Sequence, residues 1–109
     1  MFDLDAEVHR LREEPEWRER RRNSITLRKT EGMSIVLLAM PAGDRLEEHA
    51  AANPISLSVR EGRIRFTTPE GEAEAGPGTL LACDAGVRHV VEATEDAVCV
   101  LTVAGERGR

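Results

Sequence analysis

The chain has 109 residues, is 40% hydrophobic and 32% charged, and carries a formal net charge of −5. That length bounds it to a single domain with one modest core. The acidic balance argues against non-specific nucleic-acid binding, and no run approaches the ~20 apolar residues that cross a bilayer. Phe2, Trp17 and Phe66 are the aromatic residues and there is no tyrosine, so Ile, Val, Leu and Ala must build the core.

From the amino terminus, residues 3–14 read as a helix. Asp3 is a suitable N-cap, and Leu4, Val8 and Leu11 recur at i, i+4 and i+7 on one face. Pro15 interrupts that pattern and can open a short helical turn over 16–22, with Trp17 as its anchor. His9 lies beside the apolar face and reads as a surface residue. "RERRRN", Arg18 to Asn23, is the basic cluster; with Glu13, Glu14, Glu16 and Glu19 close by, it reads as a solvated helix face rather than a phosphate site. Charge is unevenly spread: residues 1–30 hold eight Lys/Arg and seven Asp/Glu, whereas residues 31–109 hold seven and thirteen. The remainder of the chain is thus the acidic part.

After Asn23 the pattern changes to short strands separated by turns. "SITLRKT" alternates, and "MSIVLLAMP" is apolar on both faces, as in a strand covered from both sides. "NPISLSVREG" places Ile55, Leu57 and Val59 on one face and Ser56, Ser58 and Arg60 on the other. "RIRFTT" repeats the rule with Ile64 and Phe66 inward. "EAEA", "TLLAC", "VRHVVEA" and "AVCVLTVA" complete about eight or nine strands joined by Gly, Pro, Asp and Asn turns. With helix only at the front, the prediction is an all-β sandwich or barrel, divided into an N-terminal helical segment, 1–22, and a β domain, 23–105. "GERGR" at the end reads as a polar tail.

Charges begin at Asp3, so the first residues do not read as a secretory signal, and a cytoplasmic protein is expected. Cys83 and Cys99 sit in apolar stretches without metal-type spacing and read as small buried hydrophobes.

Two of the three histidines, His49 and His89, fall in the β region, each in phase with apolar residues. Their surroundings hold a spaced frame. Gly43 is followed after five residues by His49, then Ala51 two positions on, then Ile55, and after six more residues Gly62. Gly78 is followed after five residues by Asp84, then Gly86, and after two residues His89, with Ala93 four positions on. This frame resembles the paired motifs of the cupin superfamily over roughly residues 33–104. The resemblance implies a small antiparallel β-barrel of the jelly-roll type, commonly dimeric, with a pocket inside the barrel.

A typical cupin holds a divalent metal through three histidines and a glutamate. On those positions His49 and His89 match, whereas Ala51 and Ile55 stand where a histidine and the glutamate are expected, and neither can coordinate. Two imidazoles fall short of the three protein ligands of most catalytic metal sites, so no cofactor beyond a weakly held divalent metal is expected. Glu47 and Cys83 are the candidates for an extra ligand. Without metal, the histidines could orient a small anionic or hydroxylated ligand in a pocket formed by Ala51, Ile55, Leu57, Phe66 and Val91.

The leading expectation is therefore a homodimeric small-ligand or weak-metal binding module. One alternative is a metal-dependent cupin enzyme of the dioxygenase or isomerase type using His49 and His89. The charged or phenolic partner such isomerases add is not visible here. The second alternative is a partner-binding protein that docks through its basic N-terminal helix.

Overall fold

The computed structural model describes residues 1–48 and 52–105. Among them are two helices, α1 (Leu4–Arg12) and α2 (Pro15–Arg18), and nine strands. The strands are β1 (Asn23–Lys29), β2 (Met33–Met40), β3 (Arg45–Glu48), β4 (Ile55–Glu61), β5 (Ile64–Thr68), β6 (Gly71–Ala75), β7 (Leu80–Cys83), β8 (His89–Ala93) and β9 (Ala97–Ala104). They form a five-stranded sheet of order β1-β2-β9-β4-β7 and a four-stranded sheet of order β3-β8-β5-β6, with antiparallel pairing throughout. The expected all-β jelly roll is thus present as two sheets packed face to face. No described strand pair closes them into a continuous hydrogen-bonded barrel. None of the described helices is long and apolar enough to cross a membrane.

Alternation in the sequence decides which side chains enter the space between the sheets. Leu38 and Met40 of β2, Leu57 and Val59 of β4, Ile64 and Phe66 of β5, Val91 and Ala93 of β8, and Ala97 and Cys99 of β9 are buried there as one cluster. A second cluster lies on the other side of the five-stranded sheet. There Leu37 and Ala39 of β2 and Val98 of β9 are covered by Val8 and Leu11 of α1. Strand β2 is apolar on both faces because it separates these two cores.

The N-terminal segment is held to the β structure by packing first and ion pairs second. Asp3 caps α1 by accepting a hydrogen bond from the Ala6 N–H at 3.2 Å. Burial of Val8 and Leu11 contributes roughly 1.5–3 kcal/mol each. The flanking pairs Arg12–Glu61 and Arg60–Asp5, at 2.7 and 2.9 Å, are partly exposed and contribute about 0.2–1 kcal/mol each, so apolar burial decides the docking.

The basic cluster is solvent-exposed, as expected of it, but two of its arginines find partners far along the chain. The second helical turn ends at Arg18, and Arg20 takes a positive φ of 62°. That turn aims its guanidinium at both Asp96 oxygens, at 2.8 and 2.7 Å, while it lies 5.7 Å over the Trp17 ring. Arg22 reaches Asp44 at 2.9 Å, and Arg21 pairs with Glu19. Asp96 also accepts the Ala42 N–H at 2.8 Å. The Arg20 hydrogen bonds, then the Ala42 N–H, hold its carboxyl at about 2. The partners missed by a local reading lie far along the chain, in the β2–β3 and β8–β9 turns.

The motif glycines have a backbone reason. Gly62 has φ +76°, and a Cβ there would lie 1.9 Å from the Asp96 carbonyl oxygen, so only glycine lets these two turns meet. Gly43, Gly78 and Gly86 also take positive φ at turns.

Candidate functional site

His89 opens β8 directly after the turn containing Gly86, and it shares a face with Val91 and Ala93. It is buried and directed between the sheets, as its strand phase predicts. The ring stacks on Phe66, with centroids 5.5 Å apart and planes inclined by 14°. Nδ1 lies 3.1 Å from the Val87 carbonyl oxygen. A carbonyl can only accept, so Nδ1 is assigned the proton and Nε2 keeps the free lone pair of the neutral ring.

Cys83 Sγ approaches the same Nδ1 at 4.0 Å. Burial, and secondarily the charge of Asp84, push this thiol up from its ordinary value. Cys99, sealed in the core, is pushed up to about 12 by burial alone. Neither therefore has the lowered pKa that marks a reactive thiolate.

The other expected site residues divide into three groups. Leu57, Phe66 and Val91 are buried in the interlayer cluster, and Ile55 packs against it opposite Cys83. Phe66 is the register partner of Val91 and stacks on His89. Glu47 lies elsewhere: it pairs in register with Val90 on the outer face of the four-stranded sheet, exposed, with its carboxylate 2.9 Å from Arg45. The alternation of β3 puts Leu46, not Glu47, against the core. His49 and Ala51 lie outside the described residues.

Among the described residues, the donors around His89 are too few to make up a metal site. Ile55 offers none, and Nδ1 of His89 is engaged by Val87. Among the described residues, no three His, Cys, Asp or Glu side chains converge to hold an ion. Of the candidate ligands among the described residues, only His89 and Cys83 lie near one another, at 4.0 Å, fewer than the three of most catalytic sites.

A concavity of about 510 Å³ opens at the end of the four-stranded sheet. Glu47, Val90 and Thr67 are lateral neighbours on its floor, and Thr68, Pro69, Arg88 and His89 complete the lining. Arg88 is exposed and makes no ion pair with any described residue. The outward arginines on the same sheet are paired: Arg45 with Glu47, and Arg65 with Glu92 at 2.8 Å and Glu74 at 3.7 Å. The sequence reading missed Arg88, Thr67 and Thr68. The available signal was the position of Arg88 immediately before the motif histidine.

No protein-family model and no curated protein matches the chain. Solved structures do. A cupin superfamily protein from Desulfitobacterium hafniense matches at 14% identity over 79% of each chain, with a TM-score of 0.75. An RmlC-like cupin from Desulfovibrio desulfuricans matches at 24% identity over 79% of this chain and 84% of the other, with a TM-score of 0.70. An RmlC-like cupin from Methanocaldococcus jannaschii, described as a double-stranded β-helix, matches at 14% identity over 80% and 83%, with a TM-score of 0.73. At these identities the likeness is one of architecture. The two stacked antiparallel sheets are those of a cupin fold.

Proposed function

We propose that this cupin-fold chain is a small-ligand binding module whose ligand carries an anionic group and enters the concavity beside β8. The carrying observation is the Arg88 guanidinium, without an ion pair among the described residues, in a cavity of about 510 Å³ on a sheet whose Arg45 and Arg65 are both neutralised. A guanidinium fork matches a carboxylate or phosphate, and the Thr67 and Thr68 hydroxyls suit the hydroxyls of a small metabolite. The volume falls within the roughly 300–1,000 Å³ of small-molecule sites.

Thermal-shift and calorimetric titrations with inorganic phosphate, citrate and glucuronate test this. At least one should bind saturably and raise the melting temperature. A ligand at a hundred times its Kd stabilises by about 2.7 kcal/mol, which is several degrees for a domain of this size. The Arg88→Gln variant should lose that shift while melting like wild type without ligand. An equal shift in the variant, or none from any probe in wild type, would overturn the proposal.

A metal-dependent enzyme is the second reading, favoured by the free Nε2 of His89 and by the frame position of His49. Elemental analysis of tag-free protein separates the two. The binding-module reading expects substoichiometric metal, and one equivalent lost in His89→Gln supports the enzyme. Docking through the basic N-terminal cluster is disfavoured because Arg20, Arg21 and Arg22 already hold carboxylates.

A further inference from the structure

The strand row that floors the concavity beside β8 is acidic at both ends. It reads Glu47, Val90, Thr67, Glu72 across β3, β8, β5 and β6. The neighbouring row, Arg45, Glu92, Arg65, Glu74, balances its charges, whereas this one holds two carboxylates and no cation. Glu47 contacts Arg45 at 2.9 Å, but the two side chains are 69% and 55% exposed, so the pair is weak and open to exchange. Glu72 is exposed and has no ion pair among the described residues. Arg88 lies two residues before Val90, the register partner of Glu47, and lines the same concavity as Glu47. Diagonal neighbours of this kind stand roughly 7–8 Å apart at the backbone, yet these two opposite charges do not pair with each other.

We infer that the ligand of this site is a zwitterion, an amino acid whose carboxylate meets Arg88 and whose ammonium meets Glu47. This ligand class, which rests on the anion-binding reading of Arg88, adds a cationic group to it. A purely anionic ligand on this floor is attracted by one guanidinium and repelled by Glu47 and Glu72. An ammonium removes the nearer repulsion and donates a charge-assisted hydrogen bond to a carboxylate that can only accept. The acidic row thereby discriminates by repulsion against ligands that carry negative charge alone. Val90, beside Glu47 in the row, supplies apolar contact for the few methylenes that separate the two ligand charges.

Calorimetric titration with matched pairs tests the inference: β-alanine against propionate, and γ-aminobutyrate against butyrate. In wild type at least one amino carboxylate should bind at least about threefold more tightly than its counterpart without the ammonium, the gain expected of one exposed ion pair. Glu47→Gln should bring that ratio to about one while the plain carboxylate still binds, and Arg88→Gln should abolish binding of both. Glu95→Gln, the same change of charge in the distant β8–β9 turn, should keep the wild-type ratio. A carboxylate that binds through Arg88 equally well with and without the ammonium would overturn the zwitterion and leave the anion site standing. An unchanged ratio in Glu47→Gln would overturn it as well. So would a failure of all four probes to bind, and the phosphate and citrate titrations then decide whether the anion site falls with it.

Discussion

Two surfaces of the same small protein solve the problem of a half-exposed sheet in different ways. The four-stranded sheet keeps its outer face wet by pairing Arg65 with Glu92 and Glu74 across strands and Arg45 with Glu47 along β3, while Arg88 at its end has no ion pair among the described residues. The five-stranded sheet carries no such ladder and instead lies partly under an amphipathic helix anchored by Val8 and Leu11. Unsatisfied groups are informative only against that background. An arginine without an ion pair among the described residues stands out among paired ones.

If the two faces are stabilised as differently as this, substitutions should separate them by size of effect. The largest loss is expected at Leu11→Ala, which empties a fully buried anchor of the helix-covered face and should cost about 2–5 kcal/mol in urea denaturation. On the opposite face, Glu92→Gln removes a partly exposed partner of Arg65 and should cost less than about 1 kcal/mol. Equal losses at the two positions would break the distinction.

The smallest expected effect is a pH dependence at the junction of the N-terminal segment with the two sheets. Asp96 has a folded value of about 2 against an ordinary 3.8. A depressed carboxyl stabilises the folded state above its ordinary value, and that contribution is lost as pH falls toward the folded one. Trp17 fluorescence should therefore report loosening of the segment between those two values in wild type. In Asp96→Asn that dependence should be weaker, and superimposable acid titrations would show that the Arg20–Asp96 pair does not hold the segment.

Much of the fold was legible because alternation is local. Ile55, Leu57 and Val59, then Ile64 and Phe66, declare their buried face within a few residues, and the apolar run from Ile35 to Met40 announces a strand between two cores. The frame glycines were legible as spacing, and the structure supplies their cause in positive φ and, at Gly62, in contact with the Asp96 turn. Sheet partners were not legible, because β9 pairs with both β2 and β4, contacts distant in sequence. For the same reason the carboxylates that neutralise Arg20 and Arg22 escaped a reading confined to nearby glutamates. Glu47 was judged by its spacing from His49, whereas its environment is set by register with Val90. Arg88 became a candidate only when its neighbours on the sheet proved to be paired.

Amide chemical-shift mapping tests the central claim most directly. Uniformly ¹⁵N-labelled protein titrated with the anion that binds should shift the amides of Thr67, Thr68, Arg88 and His89 saturably, and Arg88→Gln should abolish those shifts. Perturbations confined to Ile55, Leu57 and the basic N-terminal segment, with the β8 end unmoved, would contradict it.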